Sequence, residues 1–128
     1  MHMVRAIRGA TTVRENTKEE IFNATTQLVV EIMKQNGLTQ DDIISIIFSV
    51  TSDLDAAFPA AAVRQMGFDR TAMLCTYEMD VPGSLRKCIR VLMHVETDRR
   101  NDELKYIYLK EAVKLRPDIV QQNGRMED

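Results

Sequence analysis

Apolar residues recur at every second position from Cys88 to Val95. A strand period of two puts Ile89, Val91, Met93 and Val95 on one fully apolar face. Cys88, Arg90, Leu92 and His94 fall on the other. The same reading makes Met3 to Ala10 a first strand, with Val4, Ala6, Arg8 and Ala10 sharing a face. A helix follows: Thr17 is its N-cap, and Glu20 three residues on completes a capping box. Ile21, Ala24, Thr25, Leu28 and Ile32 keep helical spacing, and Gly37 stands where a C-terminal cap belongs. Thr39 to Asp42 predicts one short turn. Ile43 to Thr51 reads as a buried second strand, and Ser52 to Asp55 as a loop. A second helix begins near Phe58, with Pro59 at a favoured first position and Gly67 at its end. Met73 to Met79 is a third strand, Pro82-Gly83-Ser84 a break, and residues 86–95 the fourth strand. Tyr106 to Leu109 is a short fifth candidate. Residues 119–128 read as a flexible tail, polar from Gln121 on.

The order strand, helix, strand, helix, strand, strand predicts an α+β two-layer fold: a mixed sheet with two main helices on one face. The other face of so small a sheet stays uncovered, so an oligomer is expected. A chain of 128 residues fits one domain, and no internal repeat divides it.

Composition narrows the chemistry. Aromatics make up 5% of residues and Trp is absent, which weakens any base-stacking or carbohydrate platform. A net charge of -2 is no attraction for nucleic acid. Arg outnumbers Lys, and Arg is the better fork for carboxylates. Cys75 and Cys88 show no CxxC or Cys/His spacing, so a reducing compartment and no metal are expected. No apolar run approaches the ~20 residues of a membrane span.

Arg90 is the pivotal candidate. A guanidinium in mid-strand needs a protein carboxylate, an anionic ligand or a strand end that reaches water. Arg8 shares its face with small Ala6 and Ala10, and Gly9 beside it permits close approach. The simpler reading is a strand-end arginine reaching solvent. Glu78, on the face of Leu74 and Thr76, is either a structural partner for these arginines or a carboxylate that meets a ligand hydroxyl. Cys75 has the opposite strand parity, so it would reach a shared ligand through its backbone unless the strand twists or bulges there. No general base accompanies it, which argues against a cysteine nucleophile. Tyr108 could donate its hydroxyl to an anion or be an ordinary half-buried tyrosine. Arg64 lies on the second helix, where a solvated face is the simpler role. Pro117 holds Arg116 extended. His94 reads as structural. Phosphate-loop, dinucleotide and acyl-transfer motifs are absent from the sequence.

Several segments together carry a resemblance: Ile7-Arg8-Gly9-Ala10-Thr11-Thr12, Phe58-Pro59-Ala60, Ala62-Val63-Arg64, Glu78-Met79-Asp80-Val81, Lys87-Cys88-Ile89-Arg90-Val91, Tyr108-Leu109, Ala112-Val113 and Leu115-Arg116-Pro117-Asp118. In order and spacing, from about Val4 to Asp118, the chain resembles the small monofunctional trimeric bacterial chorismate mutases and not the all-helical ones. The resemblance implies a cytoplasmic homotrimer of aromatic amino-acid biosynthesis, its three sheets packed as a pseudo-barrel with sites at subunit interfaces. It implies isomerisation of chorismate to prephenate by a Claisen rearrangement, without cofactor or metal. It places Arg90 at the ether oxygen, Arg8 and Tyr108 at the enolpyruvyl carboxylate, and Glu78 with the Cys75 backbone at the ring hydroxyl. Phe58 packs on the ring, Leu115 walls the pocket, and Arg64 and Arg116 guard its mouth. Two positions depart from the family. Ala61 stands where lysine is common, and Leu74 where threonine is common beside the cysteine, a change of little consequence if that residue acts through its backbone. A non-catalytic carboxylate-binding trimer and an imine deaminase of similar fold are the rivals. Neither accounts for Arg8, Glu78, Arg90 and Tyr108 together.

Overall fold

A computed structural model describes residues 2–120 and Asn123. The elements are β1 (Met3–Thr12), α1 (Lys18–Asn36), β2 (Ile43–Val50), α2 (Pro59–Gln65), β3 (Ala72–Tyr77), β4 (Cys88–Thr97) and β5 (Ile107–Tyr108). The strands form one sheet in the order β3-β2-β4-β1-β5. β4 runs antiparallel to both β1 and β2, while β2–β3 and β1–β5 are parallel. The predicted mixed sheet with two main helices is therefore present, and the short fifth strand joins its edge.

The alternation in β4 decides which face is covered. Ile89, Val91, Met93 and Val95 are each no more than 4% exposed. Val91, Met93 and Val95 pack with Ile7, Ile46 and Phe48 from the sheet, Leu28, Val29 and Ile32 from α1, and Ala60 and Val63 from α2. Arg90, Leu92 and His94 project to the opposite face, which neither α1 nor α2 covers. There Val4 is 60% and Leu74 61% exposed, as expected of a sheet left open on one side.

Two local readings need correction. Thr17 caps α1 as expected, its Oγ1 accepting from the Glu20 amide at 3.2 Å. The reciprocal half of the capping box is missing, because the Glu20 carboxylate accepts instead from the Arg14 amide at 3.0 Å. Gly9 does permit close approach, but on the helix side. A Cβ there would lie 2.9 Å from the Ile107 carbonyl and 3.0 Å from Ile32 Cδ1. The missing side chain makes room for β5 and α1, not for a ligand beside Arg8. Gly37, at φ 63°, ends α1 in the left-handed cap that the sequence predicted.

The far end of α1 is tied to the chain that leads into β5. Asn36 is 1% exposed. Its amide nitrogen donates to the Ile32 and Lys105 carbonyls, both at 2.9 Å, and its oxygen accepts from the Lys105 amide at 2.7 Å. After β5 a 3₁₀ segment, Lys110–Leu115, leads to a helical turn at residues 117–120. The stretch expected to be a flexible tail thus opens with Ile119 and Val120 packed on Ala10, Cys88, Tyr108 and Ala112. Residues 121, 122 and 124–128 lie outside the described residues.

Candidate active site

Arg90 stands opposite Ala10 of β1 and Ser49 of β2, so both cross-strand neighbours are small. That leaves its guanidinium room on the open face. Glu78 lies one residue past β3, and its amide donates to the Val50 carbonyl at 2.8 Å. Its Oε1 sits 3.4 Å from Arg90 Nε, with the two side chains 26% and 32% exposed. The pair is ionic but not hydrogen-bonded: Nε is buried and has no hydrogen-bond partner. The Cys88 thiol lies against Arg90. Burial pushes it up to about 11, although the Arg90 charge and a hydrogen bond from Arg90 favour its thiolate.

Four more predicted residues belong to this side of the sheet. Arg8 pairs with Leu92, one pleat from the Ala10–Arg90 pair. The two arginines are therefore diagonal neighbours, with Cβ atoms ~7–8 Å apart in ordinary sheet geometry. Arg8 is exposed. Tyr108 pairs with Ala10 on the other flank of β1 and is 7% exposed, packed with Cys88 and Ala112. Leu115 packs on the same cluster. Arg116 donates to Asp118 at 3.2 and 3.1 Å, which holds the Asp118 carboxyl below the usual carboxylate range, and it lies within the influence of Tyr108 and Tyr106.

The remaining four do not join them. Cys75 pairs with Phe48, and its side chain packs into the helix-side core, away from Arg90. It lines a cavity of about 320 Å³ with Val50, Leu54, Phe58, Pro59 and Tyr77. Phe58 is 68% exposed at this cavity, and Arg64 lies exposed on α2. Leu74 is on the open face but at the sheet edge. Cys75 also has an unpaired backbone flank. The Glu78 amide points at β2, so by strand alternation the Cys75 N–H and C=O point out from the edge. The candidate residues thus fall into two groups on opposite faces of the sheet. Arg8, Glu78, Arg90 and Tyr108 are on one, and Phe58 with Cys75 on the other.

Sequence reasoning missed Asp53. Both of its carboxylate oxygens accept from the Lys87 amide, at 3.2 and 3.0 Å, and Oδ1 also accepts from Thr51 Oγ1 at 2.5 Å. Lys87 has φ 50°, left-handed without being glycine. The Ser52-Asp53 pair was a turn signal, but nothing in a lysine announces such a backbone. Among the described residues, no group of three or more His, Cys, Asp or Glu could hold a metal ion. No helix there is long and apolar enough to cross a membrane.

Residues 4–119 match the family model described as chorismate mutase type I. Two curated relatives are named chorismate mutase AroH. The one from Bacillus subtilis is 47% identical over 91% of this chain and 93% of its own length. That from Thermus thermophilus is 48% identical over 91% and 97%. A solved chorismate mutase from Clostridium thermocellum superposes with a TM-score of 0.83 at 59% identity, covering 84% of this chain and 96% of the other.

Proposed function

The chain belongs to the type I chorismate mutases, and on that premise we propose how its residues divide the work of turning chorismate into prephenate. It is an isomerase of aromatic amino-acid biosynthesis. The reaction is a Claisen rearrangement. One ether C–O bond breaks, one C–C bond forms, and every electron stays within the substrate. Nothing has to be oxidised, reduced or carried, so the reaction asks the protein only for shape and charge. As the ether bond opens, negative charge grows on its oxygen. A fixed cation there favours the transition state over the ground state.

The observation that carries this assignment is Arg90. Its guanidinium is half-buried between small neighbours, with Glu78 at 3.4 Å and no hydrogen bond at Nε. Glu78 restrains the cation on one side and can accept the ring hydroxyl. Arg8, exposed on the same face, and Tyr108 take the enolpyruvyl carboxylate. Phe58 packs on the ring, the outward Cys75 backbone and Leu74 line the adjoining edge, and Leu115 walls the pocket. Arg64 and Arg116 attract the ring carboxylate at the mouth. With alanine at position 61, that mouth has one cation fewer than is common in the family.

These roles need Phe58 and Cys75 beside Arg90, whereas one chain keeps them on opposite sheet faces. The reading therefore includes a cyclic homotrimer in which the open faces pack as a pseudo-barrel and each site joins two chains. Exposed Val4 and Leu74 on the open face give that interface apolar surface to bury. A cytoplasmic location accords with two free cysteines. The test is the loss of chorismate absorbance on adding pure protein, repeated with Arg90→Gln. Chorismate consumption that survives this substitution unchanged removes Arg90 from the role.

A further inference from the structure

Arg90 has to place a charge at one point, yet no protein hydrogen bond at Nε fixes its guanidinium. Beside the Glu78 carboxylate and the Cys88 thiol, its placement depends on the backbone that enters β4. That backbone is unusual. Lys87, the residue immediately before β4, is held left-handed at φ 50°. Such outliers persist only where their surroundings over-determine them, and they collect at functional sites.

The surroundings here converge on Thr51 and Asp53, in the loop that leaves β2. Thr51 donates its amide to the Cys88 carbonyl at 3.1 Å, and its Oγ1 accepts from the Cys88 amide at 3.0 Å. The same hydroxyl donates to Asp53 Oδ1 at 2.5 Å. Asp53 in turn accepts the Lys87 amide on both oxygens, at 3.2 and 3.0 Å. Arg86 Nε lies 3.6 Å from Asp53 Oδ2 and so steadies the carboxylate from the solvent side. On the far side of Lys87, its carbonyl accepts from Val13 at 2.9 Å and its ammonium donates to the Arg14 carbonyl at 2.7 Å. Val50, one residue before Thr51, holds the Glu78 amide at 2.8 Å. A single stretch, 50–53, therefore positions both members of the Arg90–Glu78 pair.

We infer that Asp53 is a positioning residue for catalysis: by clamping the left-handed Lys87 amide it sets where β4 presents the Arg90 guanidinium. The inference rests on the role given to Arg90 above. Asp53 itself touches no substrate in this arrangement. A misplacement of about 1 Å at a reacting centre costs up to ~10²-fold in rate, so the loss should appear in kcat.

The experiment is a double-mutant cycle on the full-length protein, with kcat and KM from the chorismate assay and folding checked by circular dichroism and native mass. Asp53→Ala should lower kcat by about ten-fold or more with KM changed less than about three-fold. Asp53→Asn keeps one acceptor oxygen for the Lys87 amide and should recover most of that loss. In an Arg90→Ala background, assayed at high enzyme concentration, Asp53→Ala should cost less than about two-fold further, because the residue it positions is gone. A folded Asp53→Ala protein with kcat within two-fold of wild type overturns the inference. So do losses that simply multiply with those of Arg90→Ala. If Asp53→Ala fails to fold, Asp53→Ser, one atom shorter and without the carboxylate, carries the same cycle, and a near-normal kcat or multiplying losses there overturn the inference too. A normal kcat for Arg90→Ala alone would instead sink the assignment of Arg90 and leave the clamp a feature of the fold.

Discussion

Replacing Arg90 with lysine keeps a positive charge and removes the fork. Arginine Nε is the fourth atom beyond Cα, and in this structure that atom faces Glu78 at 3.4 Å. Lysine places a methylene there. Its single nitrogen comes one atom later, where the guanidinium carbon was, with no planar pair of edges. The ammonium can meet Glu78 or the substrate ether oxygen, but it cannot meet both in the arrangement a guanidinium allows. The variant thus loses about one preorganised donor, worth ~3 kcal/mol in the transition state, or a fall of ~10²-fold in kcat. The ion pair is about a third exposed, so stability should fall by no more than ~1 kcal/mol. Initial rates of chorismate loss across substrate concentrations separate kcat from KM, and thermal melting reports the fold. A folded Arg90→Lys protein with kcat within three-fold of wild type would refute the assignment of charge stabilisation to Arg90.

Four further outcomes follow from other parts of the molecule. The rearrangement moves no proton to or from the protein, so kcat should stay nearly flat from about pH 6 to 9; a steep step in that range would reveal a titrating catalytic group. Arg90→Ala and Phe58→Asp, each crippled alone, should regain activity when unfolded and refolded together, because about a quarter of the interfaces in a random cyclic trimer combine two intact halves; no recovery would mean both residues serve the site from one chain. Gly9→Ala should cost about 1–3 kcal/mol, seen as a melting temperature several degrees lower, since its Cβ would lie 2.9 Å from the Ile107 carbonyl; an unchanged melting curve would contradict that packing. Cys88 has its thiol raised from 9.0 to about 11. The stability of the neutral thiol is therefore complete below pH 9 and lost as pH rises through 11, so the advantage of wild type over Cys88→Ala should shrink across that window by at most ~2–3 kcal/mol in denaturant titrations. A constant difference would show that Cys88 does not titrate there.

How much of this was legible in the chain depended on the range of the interaction. The two faces of β4 could be read from period-two alternation because each residue reports its own side. Thr17 and Gly37 bounded α1 because capping is settled within four residues. The opposite parity of Cys75 and Glu78 was readable too, and Cys75 does turn to the helix side of the sheet. Other features depend on residues far apart in sequence. Gly9 looked like room for a ligand until β5 was found beside it. Glu20 left its expected partner for the Arg14 amide, a competition between two nearby donors that spacing alone does not resolve. Asp53 matters only because the chain brings Lys87 to it from 34 positions away, and no local pattern encodes that meeting.

The position of β1 has a consequence for how the protein is made. Among the described residues its strand partners are β4 and β5, both later in the sequence. A ribosome delivers β1 first and its partners last. Until Cys88 and the residues after it emerge, the strand bearing Arg8 has two unpaired edges and an apolar side waiting on helices that themselves lack a complete sheet. Closing so long a loop is slow for entropic reasons. Arg8 and Arg90, neighbours in the finished sheet, meet only through that closure. The nascent enzyme therefore passes most of its synthesis with its first strand adhesive and unguarded. Nearly the whole chain must exist before either arginine gains its neighbour.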